Sequence, residues 1–234
     1  MTFPAIRPSR PRPGLAALGP MEQLRAGRLA RRLPQLFVGL VLYGASMALV
    51  VRSRLGLMPW DVLHYGLARH LPLNFGEVVI AVSFVVLLLW WPLRQAPGLG
   101  TIANAVVIGL ATNAVLAALG PPAQLWVRIV MLLGGVVLNG VATALYIGAQ
   151  LGPGPRDGLM TGLHRRTGWS VRSVRTTLEV SVVVAGWLLG GVVGLGTVLY
   201  AVSIGPLVQL MLPWCTVALN RSNQPGPNLP MTGE

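Results

Sequence analysis

Apolar residues run in six blocks, about 33–51, 76–93, 100–118, 127–149, 173–192 and 196–213, with most of the charge confined to the segments between them. A bilayer core about 30 Å thick takes roughly 20 apolar residues per helix, so the pattern predicts six crossings. Several blocks are short, which implies a compact bundle or local thinning of the bilayer. Gly39, Gly44, Gly109, Gly134, Gly135, Gly140, Gly186, Gly190, Gly191 and Gly205 lie inside them. Small residues let helix backbones approach where no hydrophobic force drives association. Pro59 and Pro155 suit the first position of a helix, because the missing N–H costs nothing there. They predict short connecting helices over 59–70 and 155–166, and the fold class is all-α.

The two connectors open on one phrase. "LGLMPWDVLHYGL" (55–67) returns as "LGPGPRDGLMTGL" (151–163), with Leu, Gly, Pro, Asp, Leu, Gly and Leu at the same seven places. An ungapped shift of 96 aligns residues 32–109 with 128–205, and more than a third of the pairs are identical. Each copy holds three crossings. An odd number makes the second copy enter the membrane from the opposite side, so the chain reads as two inverted three-helix repeats. In secondary transporters such repeats place the substrate site at their interface. The organisation is a basic Arg/Pro tail (1–31), a first membrane repeat (32–118), a linker (119–126), a second membrane repeat (127–213) and a polar C-terminal tail (214–234).

Composition agrees with the pattern. Charged residues are only 10% and apolar residues 53% of the chain, against about 25% charged in soluble domains. The formal charge of +12 comes from eighteen arginines and no lysine. Seven lie in the first 32 residues and most others flank apolar blocks, which argues for a membrane surface rather than nucleic acid as the partner. With the N-terminus inside, the inner loops collect all arginines except Arg52, Arg54, Arg69 and Arg128, so both termini are expected in the cytoplasm of a bacterial inner membrane. Ser46–Ala48 resembles a signal-peptide cleavage site, but the charged stretch before it is too long. Its apolar helix also recurs at 129–149. Residues 1–31 are expected to be disordered or loosely attached to lipid headgroups, and the chain from Asn220 to be a short disordered end. A lone Cys215 excludes an intrachain disulfide.

The candidate chemistry is sparse. Gly56 and Gly152 allow a sharp turn before each connector, and Asp61 and Asp157 fall in its first turn, where a carboxylate favours the positive helix end. The connectors would either lie on the surface as amphipathic helices or dip inward as half-helices, which would make the two aspartates cation or proton sites. "GLGT" opens the third crossing of each repeat, and Thr101 and Thr197 read as N-caps. The two glycines there would alternatively cradle an anion. Polar residues inside the blocks are costly in lipid and usually face the interior. Tyr43 pairs with Asn139, Asn104 with Tyr200 and Asn113 with Gln209 under the 96-residue shift, as interhelical hydrogen bonders or as the lining of a polar path. Glu179 stands one turn beyond Arg175, either as an ion pair with it or as the buried carboxylate a proton-coupled carrier needs. No metal-ligand cluster, P-loop or nucleophile–base constellation is apparent, so neither cofactor nor enzymatic activity is expected.

"LGxxPxDxLxxGL" after a first crossing, followed by "GLGT" opening another, resembles the YczE/YitT-type family of bacterial multi-pass membrane proteins over about residues 32–215. The resemblance implies a bacterial inner-membrane protein of five or six crossings and brings no substrate, cofactor or functional residue with it. The expectation is a small transporter-like permease carrying a solute or ion, with Asp61, Asp157 and Glu179 as its ionisable groups. Its rival is a non-transporting accessory or scaffold protein acting through the basic tail or a partner.

Overall fold

The computed structural model describes residues 19–219, and all of its regular structure there is helical. The helices are α1 (Pro20–Arg25), α2 (Leu29–Ser53), α3 (Pro59–Ala68), α4 (Phe75–Leu88), α5 (Leu99–Ala118), α6 (Leu125–Gly148), α7 (Pro155–Thr167), α8 (Val171–Leu188) and α9 (Leu195–Cys215). Helices α2, α5, α6 and α9 are long and apolar enough to cross a membrane. The other two expected crossings come out differently. Helix α4 stops after 14 residues, because the chain turns at 89–94 and swings Trp90 inward to donate from Nε1 to the Pro155 carbonyl at 3.0 Å. Helix α8 has 18 residues but carries Arg172, Arg175 and Glu179. Residues 19–31 are not the loose tail expected either. The Gly19 N–H donates to Glu22 at 2.9 Å to start α1, and α2 begins three residues before position 32. Positions 1–18 and 220–234 lie outside the described residues.

Helices α2 and α6 cross at the centre, α5 packs on α2, and α9 packs on α6. Glycine sets that crossing: a Cβ on Gly39 would lie 2.8 Å from the Tyr146 nitrogen, and one on Gly135 2.7 Å from Val50. Leu36, Leu40, Met47, Leu132 and Val136 fill the core around them. The outer faces stay apolar, and Trp91 and Trp214 are 89% and 85% exposed at helix ends, as aromatic residues at a bilayer interface are.

Positions 96 apart make matching contacts between the halves. Arg32 donates from Nε to the Ala149 carbonyl at 2.8 Å and from Nη2 to that of Gln150 at 2.6 Å, closing the C-terminus of α6. Arg128 does the same for α2, to Ser53 at 2.7 Å and Arg54 at 2.8 Å. The phrase and the "GLGT" turn also interlock across the halves. The Gly100 N–H donates to Leu151 at 2.7 Å, and the Gly196 N–H to Leu55 at 2.9 Å. Gly56 (φ +126°) and Gly152 (φ +122°) make the sharp turn expected of them, at positive φ.

Thr101 and Thr197 are not N-caps. Gly98 and Gly194 hold that position, and each threonine sits three residues later, accepting the cap N–H at 3.1 and 3.2 Å. Nor is the turn an open anion cradle, because the other half's carbonyl already takes an N–H of it. Thr101 further donates to Pro153 at 2.7 Å. Thr101→Val is therefore expected to lower stability by about 1–2 kcal/mol and Thr197→Val by about 1 kcal/mol, read as thermal unfolding in detergent.

The halves differ in how α4 packs with α5 and α8 with α9. Helices α4 and α5 touch backbone to backbone at Gly76 and Gly109, where a Cβ on Gly76 would overlap the Gly109 carbonyl. The Asn113 side-chain oxygen Oδ1 accepts the Gly76 N–H there at 2.7 Å. Position 172 answers Gly76 with arginine, and Gly205, which answers Gly109, has nothing within 4 Å of its would-be Cβ. Helices α8 and α9 consequently stand apart.

Candidate functional site

A cavity of about 310 Å³ opens between α8 and α9 and is also lined by α2, α3, α6 and α7. Proline places both connectors as the sequence predicts, with Pro59 and Pro155 at the first helical positions and Asp61 and Asp157 two residues on. The connectors do not lie on the surface: Asp61 and His64 are fully buried, and the two N-terminal turns converge. The Arg156 guanidinium of α7 lies 4.9 Å from the centre of the Trp60 ring of α3. These two residues occupy the same position of the repeated phrase.

Behind Trp60 a short chain of contacts runs into α3. Arg156 Nη2 is 3.5 Å from His64 Nε2, and His64 Nδ1 is 3.1 Å from Asp61 Oδ1. A neutral imidazole with its proton on Nδ1 satisfies both neighbours, donating to Asp61 and accepting from Arg156. Burial pushes the His64 pKa below its ordinary value; Arg156 adds to that shift and Asp61 opposes it. Asp61 Oδ2 finds no donor among the described residues. The reason is visible in the repeat: Asp157 receives the hydroxyl of Tyr146, and the position matching Tyr146 is Val50.

Of the residues singled out in the sequence, Tyr43, Asp157, Glu179, Tyr200 and Gln209 line the cavity. Asn104 lines a smaller chamber of about 50 Å³ that shares Tyr43, Tyr146, Arg156 and Asp157 with it. Asn139 lies one bond behind, accepting from the Tyr200 hydroxyl at 2.9 Å and donating to Ser46 at 2.8 Å. Asp61 is a step further back, behind His64. Asn113 is elsewhere, holding α4 on α5. Glu179 accepts from Arg175 Nε at 2.8 Å, the i, i+4 ion pair. Sequence reasoning passed over Arg156, Tyr146 and His64. Arg156 was legible, since it stands between the proline and aspartate of the repeated phrase.

The model of a family of unknown function (DUF6198) matches residues 30–213. The chain belongs to the DUF6198 family. Similar proteins include an "Uncharacterized protein" of Haemophilus influenzae, 45% identical over 76% of this chain and 81% of its own length. "Uncharacterized membrane protein YczE" of Bacillus subtilis is 34% identical over 79% of this chain and 86% of its own length. "Uncharacterized protein YyaS" of the same organism is 24% identical over 75% and 90%. No solved structure matches. The DUF6198 match takes in both copies of the phrase and every helix lining the cavity, and the apolar helices and the YczE likeness make this a membrane protein.

Proposed function

We propose that the protein is a small-solute permease of the bacterial inner membrane, with six crossings arranged as two inverted three-helix repeats and both termini cytoplasmic. One observation carries this reading: the inner turns of two equivalent connectors, one from each half, meet at a cavity lined by charge. Irregular backbone within a bundle survives where it lines a cavity or is covered by protein, and carriers place their sites between repeats. The reciprocal arginine caps support the equivalence of the halves. Helices α4 and α8 take the two remaining crossings, shortened by the inward connectors. A second space of about 310 Å³ shares Ile147, Asp157 and Met160 with the cavity and reaches Gln23 of α1, which supports access from the side of the N-terminus. The protein acts as a carrier rather than an enzyme and uses no cofactor. Full-length protein in liposomes is expected to take up at least one member of a broad solute panel, and Arg156→Met to abolish that uptake. Absence of flux of any solute or ion by folded protein overturns the reading.

The accessory reading has one observation behind it. Arg172 stands where Gly76 lets α4 close on α5, so α8 cannot close on α9 in the same way, and a pocket held open suits a protein that binds without moving its ligand. Spin labels at exposed Val184 and Val202 separate the two. Two distance populations support the permease, and a single unchanging one supports the accessory protein, with residues 1–31 or a partner as its point of action.

A further inference from the structure

The cavity wall carries, on adjacent residues, one cation and one anion without a charged partner. Neither Arg156 nor Asp157 forms an ion pair among the described residues; Arg156 has only the Trp60 face and His64, and Asp157 the Tyr146 hydroxyl. They cannot neutralise each other through a facing contact, because adjacent residues on a helix point in different directions. Arg175 and Glu179, the other charges on the wall, are closed on each other. Both Arg156 and Asp157 are only partly buried, so a ligand that displaces their remaining water and supplies both missing charged partners gains at both.

We infer that the cavity takes a small zwitterion with an apolar tail, α-amino-acid chemistry, its carboxylate on Arg156 and its ammonium on Asp157. The inference names the substrate class of the permease reading and rests on that reading's choice of site. A guanidinium at the second residue of a helix is suited to a carboxylate, since its forked donors and the positive helix end act together. A simple anion would meet Asp157, and a simple cation would meet Arg156; among charged ligands, only one with both charges avoids repulsion and pairs with both residues. Beside the polar Tyr43, Thr143, Tyr200 and Gln209, the wall carries Met58, Ile147, Met160, Leu178, Ile204 and Val208, an apolar surface that suits a hydrocarbon side chain. A volume of about 310 Å³ stands at the low end for ligand sites, roughly 300–1,000 Å³, and suits one amino acid rather than a peptide or nucleotide.

The test is calorimetric binding to purified full-length protein, with L-leucine, 4-methylpentanoate (no ammonium) and 3-methylbutylamine (no carboxylate) as probes, followed by L-methionine and L-valine. Leucine is expected to bind about tenfold or more tightly than either truncated analogue, given the strength of charged hydrogen bonds. Arg156→Gln should remove the advantage of leucine over 3-methylbutylamine, and Asp157→Asn its advantage over 4-methylpentanoate, while both variants keep the wild-type unfolding temperature within a few degrees. Should either variant misfold, the wild-type ranking of the three probes decides alone. Equal binding of leucine and 4-methylpentanoate, or no binding of leucine, methionine or valine by folded protein, overturns the inference. Flux in liposomes keeps the two claims separate. Leucine bound, with no solute or ion carried, leaves the ligand class standing and removes the permease, whereas flux of another solute without leucine binding does the reverse.

Discussion

Arg32→Met is expected to destabilise the protein by about 4 kcal/mol, because each buried carbonyl deprived of its donor costs roughly 1–3 kcal/mol. The side chain is fully buried and serves four carbonyls. Besides Ala149 and Gln150 at the end of α6, Nη1 donates to Gln23 at 2.6 Å and to Gly27 at 3.2 Å. One guanidinium thus ties α1, the bend before α2 and the last turn of α6 together, with its charge on the negative helix end. Arg128, its counterpart, serves only Ser53 and Arg54 from a partly exposed position. Arg128→Met should therefore cost about 1–2 kcal/mol, from two bonds that water partly replaces. Arg32→Lys should recover only part of the loss, since an ammonium has three donors and lacks the planar fork. Chemical unfolding in mixed micelles measures all three. Equal losses at Arg32 and Arg128 would mean that the contacts with α1 and its following bend contribute nothing.

That asymmetry marks where the sequence stops being informative. The helices were legible because apolar blocks long enough to span a membrane have few other ways to satisfy their backbone, and the 96-residue shift made the connectors legible as a pair. Helix α1 escaped notice because it is six residues long with no apolar stripe, and only its Glu22 cap gives it away. The threonines of "GLGT" were correctly linked to helix starts but placed three residues off, since a threonine oxygen can serve a cap N–H from the third helical position as well as from the cap itself. In the site, Tyr43 stood out because polar groups in apolar blocks are costly, and Asp157 because it recurs with Asp61 in the first turn of the repeated phrase. Arg156 was passed over despite its place inside the repeated phrase, because its counterpart there is Trp60 and an arginine in a connector resembles any loop charge until the connector is seen to turn inward. The differing distances of α5 from α4 and α9 from α8 were not legible as distances. Their cause was in plain view as Gly76 against Arg172 and Asn113 against Gln209.

The same cause yields opposite results for two glycines at equivalent positions. Gly109→Ala is expected to lose more than about 4 kcal/mol or to give no folded protein, the range reached when a side chain is forced into fixed packing. Its Cβ would overlap the Gly76 carbonyl and lie 2.6 Å from Ile80, and a backbone oxygen bound into a helix start cannot step aside as a flexible side chain can. Gly205→Ala meets nothing within 4 Å, and removing a glycine from an open helix face stabilises by up to about 1 kcal/mol. A larger change, Gly205→Leu, projects into the space that Gly205 lines and should empty the site of ligand while the fold survives. Parallel unfolding curves for the two alanine variants read the spacing of α8 and α9 in solution. If Gly205→Ala proves as damaging as Gly109→Ala, then α9 lies against α8 as α5 lies against α4, and the charged cavity between the halves is closed.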